Sequence, residues 1–362
     1  MPKKIITILF AFTLLPCMFN KAAWSQVGNQ CEGVYGNINW GGVPPGVHDC
    51  LVEGPWLVSC WWKTYKCPPV AAAIETCLSC AKAKQGNPIS LAIGNTYIEE
   101  TDVSVPGLGG GLTLTRTWNS MWPSTQSVFQ IGMFGKNWSS NFEQRVFTGS
   151  DYYVKWARGD GTFYSFGHDP DDNSSSSFVY RAAAPANDSS TMKVGDGQWS
   201  ITDKNGETRT FDPVNGRLLS ITDRNGNITQ LTYDSAFRLV TVTDPASRHL
   251  YFSYGQGAAF SLVSSVTSDF GVSLSYSYDS YQRLIQVTKP DNTHITFEYG
   301  QSSINDASSP LITAVKDNDG KILEAHSYDA DARGLSGTEA LGVNGATIIW
   351  PNPASRFTDP IH

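Results

Sequence analysis

The sequence predicts a mainly β protein, built of antiparallel β-hairpin repeats joined into one long sheet and preceded by a small disulfide-rich segment. Three observations predict it. The 362 residues are 12% aromatic and only 16% charged, with 33 glycines, a balance that favours strands and turns over helices. Asn-Gly pairs recur at Asn205-Gly206, Asn215-Gly216 and Asn225-Gly226, ten residues apart. A longer aromatic period overlies them. Phe211-Asp212, Tyr233-Asp234, Tyr254-Gly255, Tyr278-Asp279, Tyr299-Gly300 and Tyr328-Asp329 stand 22, 21, 24, 21 and 29 residues apart.

Residues 1–25 read as a signal peptide. Lys3 and Lys4 supply the positive start, Ile5 to Phe19 an apolar stretch, and Ala23-Trp24-Ser25 a small-x-small cleavage site. That stretch falls short of the roughly 20 residues a membrane helix takes. The competing reading is an uncleaved anchor. Pro16 before Cys17 fits a lipoprotein box poorly. No later segment is apolar enough to span a membrane, so the expectation is an exported chain. It would be extracellular or at the cell surface, with periplasm and outer membrane as further envelope locations.

Residues 26–85 form a cysteine-rich segment. Cys31, Cys50, Cys60, Cys67, Cys77 and Cys80 remain after signal removal, and an even number in a short exported stretch reads as a disulfide framework. Six cysteines allow 15 pairings, and the sequence does not choose among them. Cys77 and Cys80 also have the spacing of half a zinc site or a redox pair. Cys60 and Cys67 are too far apart to complete a zinc knuckle, and no βαβ unit surrounds the pair. The segment shows few alternating strands, and residues 70–84, rich in Ala, look helical.

In residues 86–195, strands are expected at Tyr97–Val105, Gly111–Trp118, Phe142–Phe147, Tyr152–Ala157 and Thr162–Phe166. A hairpin turn is expected at Arg158-Gly159-Asp160-Gly161. Residues 196–335 carry the repeats, and 336–362 form a divergent tail. The Asn-Gly pairs predict type I′ hairpins, which need two residues at positive φ.

In the long period an Arg follows the aromatic at Arg217, Arg238, Arg283 and Arg333, and Leu follows at Leu218, Leu239 and Leu284. One unit is then a strand ending in Tyr-Asp, a tight turn, and a strand opening on Arg-Leu. Asp starts such a turn by accepting backbone N–H groups ahead of it. Arg, just across the turn, can reach that Asp or stack on a neighbouring Tyr. A lone hairpin is marginal, so the units must pair sideways.

Tyr233-Asp234-(x3)-Arg238-Leu239 and Tyr278-Asp279-(x3)-Arg283-Leu284 resemble the YD repeat of the RHS family. The stretch from Gly86-Asn87-Pro88-Ile89 through Gly94-Asn95, Glu100-Thr101-Asp102 and Leu114 to Ser120, then Gly135-Lys136-Asn137-Trp138, resembles the domain that precedes those repeats. The resemblance covers about residues 86–340. It implies a long curved sheet, part of a spiralling YD-repeat shell, and surface or secreted roles. These include intercellular competition, insecticidal toxin complexes and carbohydrate binding. The self-cleaving segment and toxin domain of longer members have no counterpart here, so a truncated relative of RHS polymorphic toxins is expected, with a small open relative as the other reading.

The function expected is structural or recognitional and not enzymatic, and the alternative is a carbohydrate-binding adhesin module. The repeat residues Tyr233, Asp234, Arg238, Tyr278, Asp279, Arg283, Tyr328, Asp329 and Arg333 would serve the sheet or meet sugar. No catalytic residue, metal ligand or cofactor is expected. The six histidines form no ligand pattern, and Asp317-Asn318-Asp319-Gly320 reads as a hairpin turn, since Lys321 breaks the calcium-loop pattern. Net charge of -7 with no basic stripe argues against nucleic acid. The partners expected are a cell-surface carbohydrate or another envelope protein.

Overall fold

The structure is a computed structural model. It describes residues 32–37, 47–53, 57–66, 84–85, 89–90, 94–122, 130–148, 153–169, 178–184, 188–195, 198–300, 307–339 and 346–348. The signal peptide, Cys31, Cys67, Cys77 and Cys80 lie outside these, as does the expected helix but for Lys84, which belongs to a short strand. Among the described residues no helix is long and apolar enough to cross a membrane.

The repeats are a meander. One 19-stranded sheet takes its strands in chain order, from Arg145–Thr148 to Ala346–Thr347, each antiparallel to the next. It begins inside the stretch 86–195 and runs on through the repeats without a break. Alternation explains its one-sided burial. In Ile228–Tyr233 and Ser273–Tyr278 every second residue is buried, so Leu231, Leu274 and Tyr276 face the core while Thr232 and Ser277 face out.

The sheet curls back on itself. Its first strand also meets the start of its eighth, Leu218–Thr222, through a bridge between Arg145 and Arg217. Val146 N–H donates to the Gly216 carbonyl at 2.8 Å, and Leu218 N–H to the Gln144 carbonyl at 3.2 Å. The leading edge is thereby paired and unavailable for edge-to-edge association.

A separate three-stranded sheet of Tyr97–Val105, Leu112–Asn119 and Trp138–Ser140 lies against the buried face. Its Ile98, Leu114, Trp118 and Trp138 share one apolar cluster with Leu231, Leu250, Leu284, Phe297 and Tyr328 of the repeats. Arg116 is buried among them. Its guanidinium binds both Asp102 oxygens, at 2.5 and 2.8 Å, and stacks 4.7 Å from the Trp138 ring. Tyr276 of the long sheet donates its hydroxyl to Asp102 at 2.7 Å. Burial opposes its charge most, but the attraction and hydrogen bonds of Asp102, with Tyr276 and Glu100 nearby, together hold Arg116 above the ordinary guanidinium range, so it stays charged.

The cysteine-rich segment contains more strand than its sequence suggests. Glu32–Asn37, Val47–Glu53 and Leu57–Lys66 form a three-stranded antiparallel sheet in which Cys50 and Cys60 are register partners.

The turns depart from the type I′ expectation. At Asp203, Asp223, Asp234, Asp244, Asp279, Asp317 and Asp329 the Asp N–H bonds the carbonyl four residues on, and the N–H three residues on bonds back to the Asp carbonyl. Only the fourth residue has positive φ: Gly206, Gly226, Phe237, Ser247, Gln282, Gly320 or Ala332. Asn205 and Asn225 keep ordinary φ because the Asp two places earlier fixes them. Its Oδ1 accepts the N–H groups two and four residues on, as Asp223 does from Asn225 and Asn227 at 2.8 Å each. These are three-residue hairpin loops ending in a bulge, the arrangement that follows when only the last loop residue is left-handed.

Two glycines separate backbone strain from docking. Gly226, at φ 84, has open space where a Cβ would go, so Gly226→Ala should cost only the left-handed strain, about 1 kcal/mol. A Cβ on Gly216, at φ 70, would stand 1.8 Å from the Val146 carbonyl oxygen and force the first and eighth strands apart. Gly216→Ala should cost about 3 kcal/mol or more. Denaturant midpoints of the two variants check this, and equal midpoints would contradict the ring closure.

Candidate functional site

The repeat motif builds a row of linked turns. Each motif tyrosine ends a strand just after a register shift, as at Thr232/Tyr233, Ser253/Tyr254, Ser277/Tyr278, Glu298/Tyr299 and Ser327/Tyr328. The bulge turns the ring onto the neighbouring hairpin. There Tyr233 donates its hydroxyl to the Leu218 carbonyl at 2.7 Å, and Tyr254, Tyr278 and Tyr299 donate to Leu239, Val263 and Leu284 at 2.8 Å, always 15 residues back. Tyr328 donates to Ile312 at 2.6 Å. Burial pushes these hydroxyls above the ordinary phenol range, so they remain donors.

Asp and Arg close each turn. Asp234 Oδ2 accepts from Arg238 at 2.7 Å, Asp279 from Arg283 at 2.7 Å, and Asp329 from Arg333 at 2.7 Å. Asp244 and Arg248 repeat the pairing at the opposite turns, where Asp244 is fully buried. Arg238 lies over the Tyr254 ring at 4.7 Å, and Arg283 over Tyr299 at 4.8 Å. Arg238 and Arg283 thus each serve their own turn and the next tyrosine. The expected repeat residues are therefore brought together in one interlocked row. The tyrosine rings are half-buried to buried, and their hydroxyls are already bonded to backbone.

The upstream segment seals this row. Gly94 accepts from Gly334 N–H, Ser120 Oγ donates to the Ala332 carbonyl, and Trp118 Nε1 to that of Pro310. Lys136 N–H donates to Gln282, and Met133 accepts from Val263 N–H. Running forward, residues 94–146 thus meet the repeats from their last unit back to their first.

Between this segment and the first turns lies a cavity of about 350 Å³. Arg145, Arg158, Arg217 and Arg238 line it with Phe237, Phe260 and Glu143. Phe237 and Phe260 are half exposed at its edge, each under an arginine, Arg217 at 5.4 Å and Arg238 at 4.1 Å. Glu143 is the acid of the cavity wall. Its Oε1 accepts the Met133 N–H, while its Oε2 is sealed from solvent with no hydrogen-bond partner among the described residues. Burial pushes its carboxyl up to about 7, against the lowering effect of that N–H, of Ser140 and of Arg145. Sequence reasoning singled out Arg217 as a repeat residue but missed Glu143, Arg145, Phe237 and Phe260. One signal was present: Arg217 follows its Asp by five residues, and the other motif arginines by four. Among the described residues no group of three or more His, Cys, Asp or Glu could hold a metal ion. Asp317, weighed above as a calcium loop, heads a hairpin turn and accepts from Asp319 and Lys321 N–H.

The raised Glu143 carboxyl has a pH signature. The unfolded chain gives up this proton near 4.5, while the fold holds it to about 7. The protonated form's contribution is therefore complete below the lower value and lost as pH rises through the upper one, by roughly 3 kcal/mol at most. Glu143→Gln keeps the acceptor for Met133 and should abolish that decline. Stability curves of both proteins between about pH 5 and 8 check this. Parallel curves would contradict a buried, proton-holding Glu143. The turn aspartates Asp223, Asp234 and Asp244, held low, act in the opposite direction and only below that window.

Residues 86–166 match DUF6531, a domain of unknown function, and residues 212–249 match the RHS repeat. No curated protein matches the sequence. Among solved structures the TcdB2–TccC3 complex is similar at 12% identity and TM-score 0.27, covering 67% of this chain and 15% of that one. A Tc holotoxin pore of Photorhabdus luminescens with a TccC3 variant is similar at 10% identity and TM-score 0.27, covering 67% and 14%. The chain thus spans about a seventh of the length of those structures. The chain therefore carries a DUF6531 region followed by RHS repeats, the order of elements that its sequence resemblance implies.

Proposed function

We propose that the chain is an exported, toxin-related RHS protein that acts at the cell surface or outside the cell as a structural or binding wall, without catalytic chemistry. One observation carries the reading. The side chains the repeat supplies most regularly, Tyr, Asp and Arg, are spent on holding hairpin to hairpin. Such a design makes an extended surface and not a reaction centre. The cysteine placement and the amino-terminal pattern support export. Fractionation of the producing cell with N-terminal sequencing tests it. The expected product is a chain that starts after Ser25 in the medium or envelope, and a full-length chain in the cytosol would overturn the proposal.

A second reading, a carbohydrate-binding adhesin module, is favoured by a different set of residues from the motif tyrosines. Phe237, Phe260 and Tyr281 are 53, 50 and 44% exposed beside the row of turns, and Arg283 lies 5.0 Å from the Tyr281 ring. Exposed rings can stack on sugar faces, while Tyr233 and Tyr278 are committed to backbone. Glycan binding should be lost in Phe237→Ala and Tyr281→Ala. No binding to any glycan at millimolar concentration would sink this reading.

A further inference from the structure

We propose that the cavity between the upstream segment and the first repeat turns is a binding site for a small oxyanion, a carboxylate or phosphate carried on a compact, partly apolar molecule, with Arg217 as its principal ligand. Arg217 is set apart from its counterparts. Arg238, Arg283 and Arg333 each bind the Asp four residues earlier, at 2.7, 2.6 and 2.7 Å. In Asp212-Pro213-Val214-Asn215-Gly216-Arg217 one more residue intervenes. Asp212 Oδ1 is occupied by the Val214 and Asn215 N–H groups, and the longer turn carries Arg217 past it. The Arg217 guanidinium makes no hydrogen bond or ion pair with any described residue, and its one side-chain contact of note is the Phe237 ring. Gly216, the residue that lengthens the turn, is also the one that Val146 docks on, so the same docking places Arg217 beside Arg145.

The charge balance of the walls points the same way. Arg238 is matched by Asp234, and Arg158 has Asp160 at 3.8 Å. Arg145 and Arg217 repel each other, and both are held below the ordinary guanidinium range, first by burial. The one carboxyl on the wall, Glu143, favours its neutral form. Arg217 therefore brings to the cavity a positive charge that no carboxylate among the described residues meets in a hydrogen bond or ion pair. Guanidinium forks suit two- and three-oxygen anions, and a desolvated site strengthens such bonds. Phe237 and Phe260 would take the apolar body of the ligand, and the volume suits a small molecule.

The test uses the full chain, with inorganic phosphate and benzoate as probes, titrated in calorimetry and thermal unfolding at constant ionic strength against sodium chloride. At least one probe should bind in the millimolar range or tighter and raise the melting temperature where chloride does not. Arg217→Gln, checked for folding by circular dichroism, should weaken binding about tenfold or more. Lys321→Gln, on an exposed turn far along the chain, should not. Binding of phosphate alone assigns a phosphate ligand, and of benzoate alone a carboxylate. Absence of binding by both probes, or equal affinity in Arg217→Gln and the parent, would overturn the site.

Discussion

The fold depends on one hydrogen bond repeated along the chain, from the hydroxyl of a motif tyrosine to a backbone carbonyl in the preceding hairpin. A β-hairpin alone does not bury enough apolar surface to hold its shape. The tyrosine solves this within one residue. Its ring adds to the shared core, and its hydroxyl caps a carbonyl at a strand start. The register shift before it sets the ring's direction, and at Tyr233, Tyr278 and Tyr328 the turn that follows ends in a left-handed residue. The left-handed residue is tolerated even as Phe237, Ser247 or Ala332 because the Asp carboxylate fixes the rest of the loop. Turn, bulge, tyrosine and neighbouring hairpin are thus a single mechanical chain.

A sheet made this way still has one bare apolar face, and the upstream segment covers it. The tie is unusual in being charged. Arg116 and Asp102 sit in the core, joined across to the repeats by the Tyr276 hydroxyl. Removing one partner of such a pair leaves an uncompensated buried charge, on the order of 3–5 kcal/mol. The charged tie fixes which part of the upstream segment meets which hairpin more tightly than apolar packing alone would. The cavity follows from this placement. Upstream segment and first turns meet where the turn is one residue longer, and the space between keeps an arginine that its Asp does not reach.

What the sequence made legible was local. The Asp-(x3)-Arg pair could be read because its members act four residues apart, whereas each stacked tyrosine, 16 residues on, belongs to the next unit and follows from the repeat period. The Asn-Gly pairs misled because the turn type is set by the Asp two residues before Asn205 and Asn225 and three before Asn215, whose carboxylate outweighs the preference of Asn for positive φ. The strands at 32–66 escaped notice because cysteines and tryptophans blur the alternation. The contacts of Gly216 with Val146, of Gly334 with Gly94, and of Tyr276 with Asp102 join residues 70 to 240 apart, and no period in the sequence marks them. Glu143 and Arg145 gain their character only from that docking.

The most direct measurement is urea unfolding of Tyr254→Phe, Tyr278→Phe, Tyr299→Phe and the triple variant. Each ring stays in place, so only the hydroxyl bond is removed. The account predicts a loss of about 1 kcal/mol for each single change, with the triple variant losing at least their sum. A triple variant that unfolds at the parent's urea midpoint would show that the hairpins hold together without the tyrosine hydroxyls, and would contradict the account at its base.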